Sequence, residues 1–238
     1  MQPHSSLNAS TDPAEQASAG LITGSAETRL YEADAHGQVH AGPVCGWLPA
    51  LIGKLVLLVS GWKTEGAPPD LSRAIFIAAP HTTNWDLVYM LAVAWGLRIR
   101  LSWMGKHTLF EGPFGWFMRA IGGLPVDRRS RNNLVQQVAE HVHRLERIYV
   151  AVAPEGTRKF TDHWKTGFYH MAVASGVPIV CGYLDYRRKA GGVGPVLFPT
   201  GDIQADMERL RRIYAPIHGL IPEFQGPVRL KDDPLPSA

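Results

Sequence analysis

Ala74-Ile75-Phe76-Ile77-Ala78-Ala79-Pro80-His81-Thr82-Thr83-Asn84-Trp85-Asp86 is the stretch whose reading decides the fold. An apolar run rich in strand formers leads into a polar turn, and a second, longer apolar run follows over 87–97. Strand, turn and helix in that order put His81 and Asp86 at the carboxyl end of a strand, where open α/β sheets keep their ligand sites. Five residues apart on one helix, the two side chains would point roughly 140° apart. They meet only if His81 lies in the turn and Thr82, Thr83 or Asn84 caps the helix. A histidine held by a carboxylate has a fixed tautomer and a stabilised imidazolium, the needs of a general base. The bland reading of the same spacing is a helix cap beside a satisfied histidine.

Outward from this stretch the period alternates between strand-like and helix-like. Residues 73–79 read as a buried strand and 84–97 as a helix apolar nearly all round, hence buried. A second strand is expected over 99–104, and a short helix over 114–121 between Gly112-Pro113 and Gly122-Gly123. Residues 132–146 form an amphipathic helix pattern with Leu134, Val135, Val138, Val142 and Leu145 on one side. A third strand follows over 148–153, a helix over 166–174, a fourth strand over 177–184 and a late helix over 207–214. The alternation predicts an α/β fold: one layered domain with a mixed, largely parallel sheet flanked by helices. The expected organisation is a loose tail over 1–42, an apolar membrane-associating helix over 43–63, the main domain over 64–226 and a loose tail over 227–238.

At 238 residues, with 45% hydrophobic and 19% charged residues, the chain can bury a good-sized core and is neither fibrous nor disordered overall. Cys45 and Cys181 stand alone, without zinc-type spacing, and fit a reducing compartment. The net charge of +3 hides an asymmetry: up to Gly42 there is one Arg against five acids, so the remainder is strongly basic. A basic body suggests an anionic partner such as phosphate, a membrane surface or nucleic acid, and charge alone does not choose among them. The apolar stretch 44–62 approaches a bilayer's thickness, but Lys54 sits near its middle, at a cost of roughly 2.5–3.5 kcal/mol for a spanning helix. Trp47 and Trp62 at its two ends resemble interfacial anchors, so the first expectation is a helix in the membrane interface, with a core helix or a true span as the alternatives. No basic region followed by an apolar one marks a cleavable signal peptide.

Further polar clusters fall at element ends. Gly122-Gly123-Leu124-Pro125-Val126-Asp127-Arg128-Arg129 places cations after a glycine pair, and Pro154-Glu155-Gly156-Thr157-Arg158 follows the third strand. Lys106 follows the second strand at the same expected sheet edge. Arg grips phosphate bidentately, whereas Lys acts as a point charge. A His-Asp pair facing several cations suits a substrate carrying a phosphate and a reactive hydroxyl.

These residues also resemble a family: the lysophospholipid acyltransferases, which act on glycerol-phosphate and acylglycerol-phosphate. His81 to Asp86 matches its H-x4-D motif, Gly122 to Arg128 its second motif, Pro154-Glu155-Gly156-Thr157-Arg158 its third and Val177-Pro178-Ile179-Val180 its fourth. The resemblance implies that His81 deprotonates a lysolipid hydroxyl, most simply that of 1-acylglycerol-3-phosphate. That hydroxyl attacks the thioester of an acyl-CoA or acyl carrier protein, while Asp86 orients His81. It further implies that Arg128, Glu155, Gly156 and Arg158 position the acceptor and its phosphate, and that 177–180 shape the acyl or acceptor pocket. Thr157 falls in the same motif, and Lys106 and Lys165 join the substrate-binding set on charge and position. No cofactor and no acyl-enzyme are implied, and there is no GxSxG elbow. Partners are membrane lipid and the acyl donor, at the cytoplasmic face of a membrane.

The chain departs from the family pattern in places. Thr83 stands where many members have Ser, Ala153 replaces an aromatic, Cys181 a Pro, and Pro125-Val126 a Phe-Ile style pair. None removes a proposed catalytic group, but they leave open other acceptors, such as a lyso-ornithine lipid or another lysophospholipid. A protein that binds anionic lipid without turnover would use the basic body and stretch 44–62, yet have no need of His81 and Asp86. His141 and His143 lie two apart and point to different helix faces, and no HExxH or CxxC is present, so no metal is expected. His107, His163 and His170 read as surface or packing residues. The cations form no run interleaved with aromatics, which argues against nucleic acid. Trp85, Trp95, Trp103, Trp116 and Trp164 read as core or interface residues.

Overall fold

The structure is a computed structural model that describes residues 42–126 and 131–233, without the side chains of 131–133. Seven strands form one mixed sheet: β1 (Lys63–Glu65), β2 (Arg73–Ala79), β3 (Leu101–Lys106), β4 (Gly123–Val126), β5 (Ile148–Val152), β6 (Ile179–Asp185) and β7 (Ala190–Leu197). Their order is β1-β7-β6-β2-β5-β3-β4, and every pairing is parallel except β6 with β7. Helices α1 (Trp47–Ser60), α2 (Trp85–Gly96), α3 (Gly115–Ala120), α4 (Arg131–Arg144), α5 (Gly167–Ser175) and α6 (Ile203–Tyr214) cover it.

Apolar side chains alternate across the central strands, and each face has its own core. Ile75, Ile77, Val150 and Ile179 meet Val138 and Val142 of α4, Phe168 and Met171 of α5, and Leu210 and Tyr214 of α6. Phe76, Trp103, Tyr149 and Val180 meet Leu91 and Ala94 of α2, with Met118 of α3 against the same cluster. Helices α2 and α3 therefore share one face, and α4, α5 and α6 share the other.

Helix α1 packs on the outer side of α2. Gly53 permits the approach: a Cβ there would stand 2.7 Å from the Ala92 carbonyl oxygen. The start of α1 is pinned by Cys45 N–H to the Arg98 carbonyl (3.0 Å) and by Arg100 N–H to the Pro43 carbonyl (2.8 Å). Only Ala50, Gly53 and Leu57 of α1 are buried, and Lys54 is exposed. At 14 residues α1 is about 21 Å long. Among the described residues no helix is long and apolar enough to cross a membrane.

The structure alters several expectations. Trp62 is buried at 6% exposure, stacked on Tyr89, whereas Trp47 is 71% exposed. Of these two, Trp47 alone is open to an interface. Trp103 and Trp164 are core residues, but Trp85 and Trp116 are exposed. Of the stretch 227–238, expected to be loose, the described residues 227–233 are tied down: Leu230 is buried, and Arg229 donates to the Asp162 carbonyl (2.8 Å); 234–238 lie outside the described residues. Strand β7 forms where Gly191, Gly192, Gly194 and Pro195 leave no alternating apolar pattern to mark a strand. Gly192 needs its missing side chain, since a Cβ there would collide with the Glu65 carbonyl oxygen of neighbouring β1.

Candidate active site

The parallel strands β2, β3, β5 and β6 release the chain at one sheet edge, so residues far apart in sequence converge there. His81 lies two residues past β2, Lys106 ends β3, Glu155 follows β5 and Tyr186 follows β6. An open cleft of about 1860 Å³ lies along this edge.

His81 sits in the turn before α2, and Asp86 in the helix's first turn. His81 Nδ1 lies 3.0 Å from Asp86 Oδ2. The same oxygen accepts the backbone N–H groups of Thr82 (2.7 Å) and Thr83 (2.8 Å). Thr83 Oγ1 in turn accepts Trp85 N–H (2.8 Å), so Thr83 satisfies the first free N–H of the helix while Asp86 folds back over the turn; Asn84, at the N-cap position, makes no side-chain capping bond. Asp86 Oδ1 accepts the hydroxyl of Tyr186 at 2.6 Å. Burial of Asp86 works to raise its pKa, but hydrogen bonds from His81, Tyr186 and Thr83 outweigh it and hold the carboxyl below the usual aspartate value. An ionised carboxylate only accepts, which assigns the proton to His81 Nδ1. Nε2 is then free to take a proton, and the His81 side chain is 27% exposed along the cleft.

Glu155 lies beneath this turn. It is 2% exposed, its Oε1 accepts His81 N–H (3.1 Å), and its Oε2 has no partner. Burial pushes its pKa up to about 7. Glu155 is thus a support for the His81 backbone and does not line the cleft, contrary to the acceptor-positioning role the resemblance implied.

Gly156, Thr157, Arg158 and Lys165 do line the cleft, as does Lys106. Gly156 adopts φ +64°, and a Cβ there would meet Lys165 Nζ at 2.7 Å, so the lysine lies directly over this loop. Thr157 Oγ1 accepts Lys159 N–H at 3.2 Å and shapes the turn. Arg158 donates to Asn84 Oδ1, joining the third sequence motif to the first. His163 and His170 also border the cleft. Arg128 lies outside the described residues. The fourth motif does not reach the cleft: Ile179 and Val180 are fully buried in the sheet, and Gly182 and Tyr183 further along β6 form the wall. A deep part of the cleft is apolar, with Phe76, Met90, Leu97, Leu101, Trp103 and Met118. No group of His, Cys, Asp and Glu among the described residues could hold a metal ion.

Sequence reasoning missed Tyr186. It stands 100 residues from Asp86 with no motif around it. Its one signal was its position just past the fourth strand, at the edge that carries the rest of the site.

Fold and site together define an α/β protein whose cleft presents a paired histidine, a rim of cations and an apolar interior. The chain belongs to the acyltransferase family: the family model described as Acyltransferase matches residues 64–184. It is 31% identical over 152 residues to the 1-acyl-sn-glycerol-3-phosphate acyltransferase of Haemophilus influenzae, covering 59% of each chain. It is 33% identical over 140 residues to the Escherichia coli protein of the same name, covering 55% of each. The chain therefore spans little more than half the length of these relatives. A solved structure, the 1-acyl-sn-glycerophosphate (LPA) acyltransferase PlsC from Thermotoga maritima, aligns with a TM-score of 0.49 at 19% identity, over 71% of this chain and 74% of that one.

Proposed function

We propose that this protein transfers a fatty acyl group from acyl-CoA or acyl carrier protein to the free hydroxyl of a lysophospholipid, with 1-acylglycerol-3-phosphate as acceptor. The observation that carries the reading is the His81–Asp86 pair, open at Nε2 onto a cleft that combines cations with an apolar interior. The acceptor name comes from the relatives that the chain resembles.

His81 Nε2 takes the proton of the acceptor hydroxyl as its oxygen attacks the thioester carbonyl carbon. A carbon–oxygen bond forms, and the carbonyl electrons move onto its oxygen. On collapse the carbon–sulfur bond breaks, and the imidazolium returns its proton to the departing thiolate. Asp86 stabilises the imidazolium between these steps. General-base assistance of this kind contributes about 10²–10⁴-fold. Lys106, Arg158 and Lys165 face the acceptor phosphate, and the apolar interior receives hydrocarbon.

The same layer supplies a lipid-facing surface. Among the described residues, most of the exposed large apolar side chains belong to α1, the start of α2 and the segment around α3, and α2 and α3 cover one sheet face. Docked by that layer at the cytoplasmic face of a membrane, the cleft meets lysolipid in the bilayer and acyl thioester from solution.

The test is acyl transfer by purified protein with a labelled long-chain acyl-CoA or acyl carrier protein and a panel of lysolipids, beside His81→Ala. Turnover on lysophosphatidic acid, lost in the variant, is the expected result. Turnover confined to a different lysolipid reassigns the acceptor. Lipid binding with no turnover for any pair of substrates overturns the enzymatic reading.

A further inference from the structure

The geometry points to Tyr186 as a positioning residue for the His81–Asp86 pair, held in place by Trp62 just past the end of α1. This rests on the reading of that pair as the catalytic base.

The starting point is how the Asp86 carboxylate is fixed. Oδ2 is saturated, with His81 Nδ1 and two backbone N–H groups around it. Oδ1 has one short donor, the Tyr186 hydroxyl at 2.6 Å; Thr83 Oγ1 stands at 3.5 Å. Without Tyr186, one oxygen of a buried carboxylate is left with a single long contact. The carboxylate then gains freedom to turn, and with it goes the direction in which His81 Nε2 points. A charge-assisted hydrogen bond of this length is among the stronger ones available to a side chain.

Tyr186, half-buried, is itself held by backbone and ring contacts. Its backbone N–H donates to the His218 carbonyl (2.9 Å), and its ring meets Trp62 edge-on at 4.9 Å and Tyr89 at 5.8 Å. Trp62 stacks flat on Tyr89 with centroids 4.3 Å apart. The three rings form one packed unit, and Trp62 enters it because α1 ends on a turn in which Trp62 N–H bonds to the Leu57 carbonyl (2.9 Å). Helix α1 is thereby coupled to the orientation of the catalytic pair through Trp62, Tyr186 and Asp86. Tyr186 lies outside the cleft lining and bonds Asp86, which lines it, so its route to the chemistry is through that carboxylate.

The test is Tyr186→Phe, which keeps the ring in the aromatic unit and removes only the hydroxyl. The expected result is a fall in kcat of about 10- to 100-fold, the range for one hydrogen bond to a charged group, with KM for both substrates unchanged. The ionisable groups facing Asp86 are His81 and Tyr186, with Glu155 beyond the turn. Loss of one donor raises the Asp86 pKa, an upward shift in the titration of that carboxyl. The same shift is expected, with or without turnover, in the low-pH inflection of the His81 ring resonances, which sense Asp86 protonation. That resonance measurement separates this inference from the acyltransferase reading, since it needs no substrate. Trp62→Phe is the second variant, expected to give a smaller kcat loss of the same kind. An unshifted His81 inflection in folded Tyr186→Phe overturns the assignment, as does a kcat loss explained wholly by a smaller folded fraction.

Discussion

Glu155 Oε1 accepts the backbone N–H of His81 at 3.1 Å, although the two residues stand 74 apart in sequence. The bond ties the turn after β2 to the turn after β5, and it fixes the backbone from which the histidine projects.

That bond leads to a pH-dependent stability. The Glu155 carboxyl rises from 4.5 to about 7 on folding, because burial opposes its charge. Between those values the folded state binds more protons than the unfolded one, so stability is full below pH 4.5 and falls as pH rises through 7. The loss amounts to about 3 kcal/mol. Glu155→Gln keeps an acceptor for His81 N–H but removes the titration. Urea unfolding from pH 5 to 8 is expected to show a decline in the wild type that the variant lacks. Parallel curves for the two proteins would refute the ionisation.

Asp86 has the opposite sign. Its carboxyl lies below the usual value in the folded protein, so it contributes stability above the unfolded pKa of 3.8 and loses it as pH falls through the folded value. Asp86→Asn cannot accept from His81, two backbone N–H groups and Tyr186 together. It is expected to cost about 2 kcal/mol at neutral pH, less in acid, with kcat lower by 10²-fold or more. Turnover equal to wild type in the folded variant would remove Asp86 from the mechanism.

Much of this was legible in the sequence because two strong local patterns coincide. The strand–turn–helix order around His81 and the glycine-bearing turn after β5 both mark strand carboxyl ends, which the parallel sheet then aligns. What was hidden depends on tertiary contact. Trp62 ends an apolar run, so it reads as an interfacial anchor until Tyr89 and Tyr186 are seen to cover it. Glu155 reads as a site carboxylate because exposure is invisible in a motif. Strand β4 carries Pro125, which suits only its position as the edge strand. Strand β1 has three polar or charged residues and no apolar period at all.

Gly156→Ala tests the loop that carries the cations. A left-handed alanine costs about 1 kcal/mol, and its methyl displaces the flexible end of Lys165. A small loss of stability is expected, with a several-fold rise in KM for a phosphate-bearing acceptor and little change for a donor. The check is steady-state kinetics beside Lys165→Ala, which should raise the same KM. Equal effects on an acceptor lacking a phosphomonoester would show that this lysine reads something other than phosphate.

The outer face of α1 tests membrane docking. Leu51, Leu55, Leu58 and Val59 are exposed there, while Ala50, Gly53 and Leu57 hold the helix to the domain. Leu55→Ser with Leu58→Ser removes two large apolar side chains without touching the packed side. Burial of one such residue is worth about 1.5–3 kcal/mol, so partition onto phosphatidylglycerol vesicles should fall at least tenfold. Turnover on a short-chain lysolipid dissolved as monomer should persist, because Trp62 and Asp86 are undisturbed. Sedimentation with vesicles measures the first and product formation the second. Unchanged partition would place the lipid contact elsewhere on the protein, whereas lost turnover on the soluble acceptor would mean that α1 acts on the site beyond anchoring it.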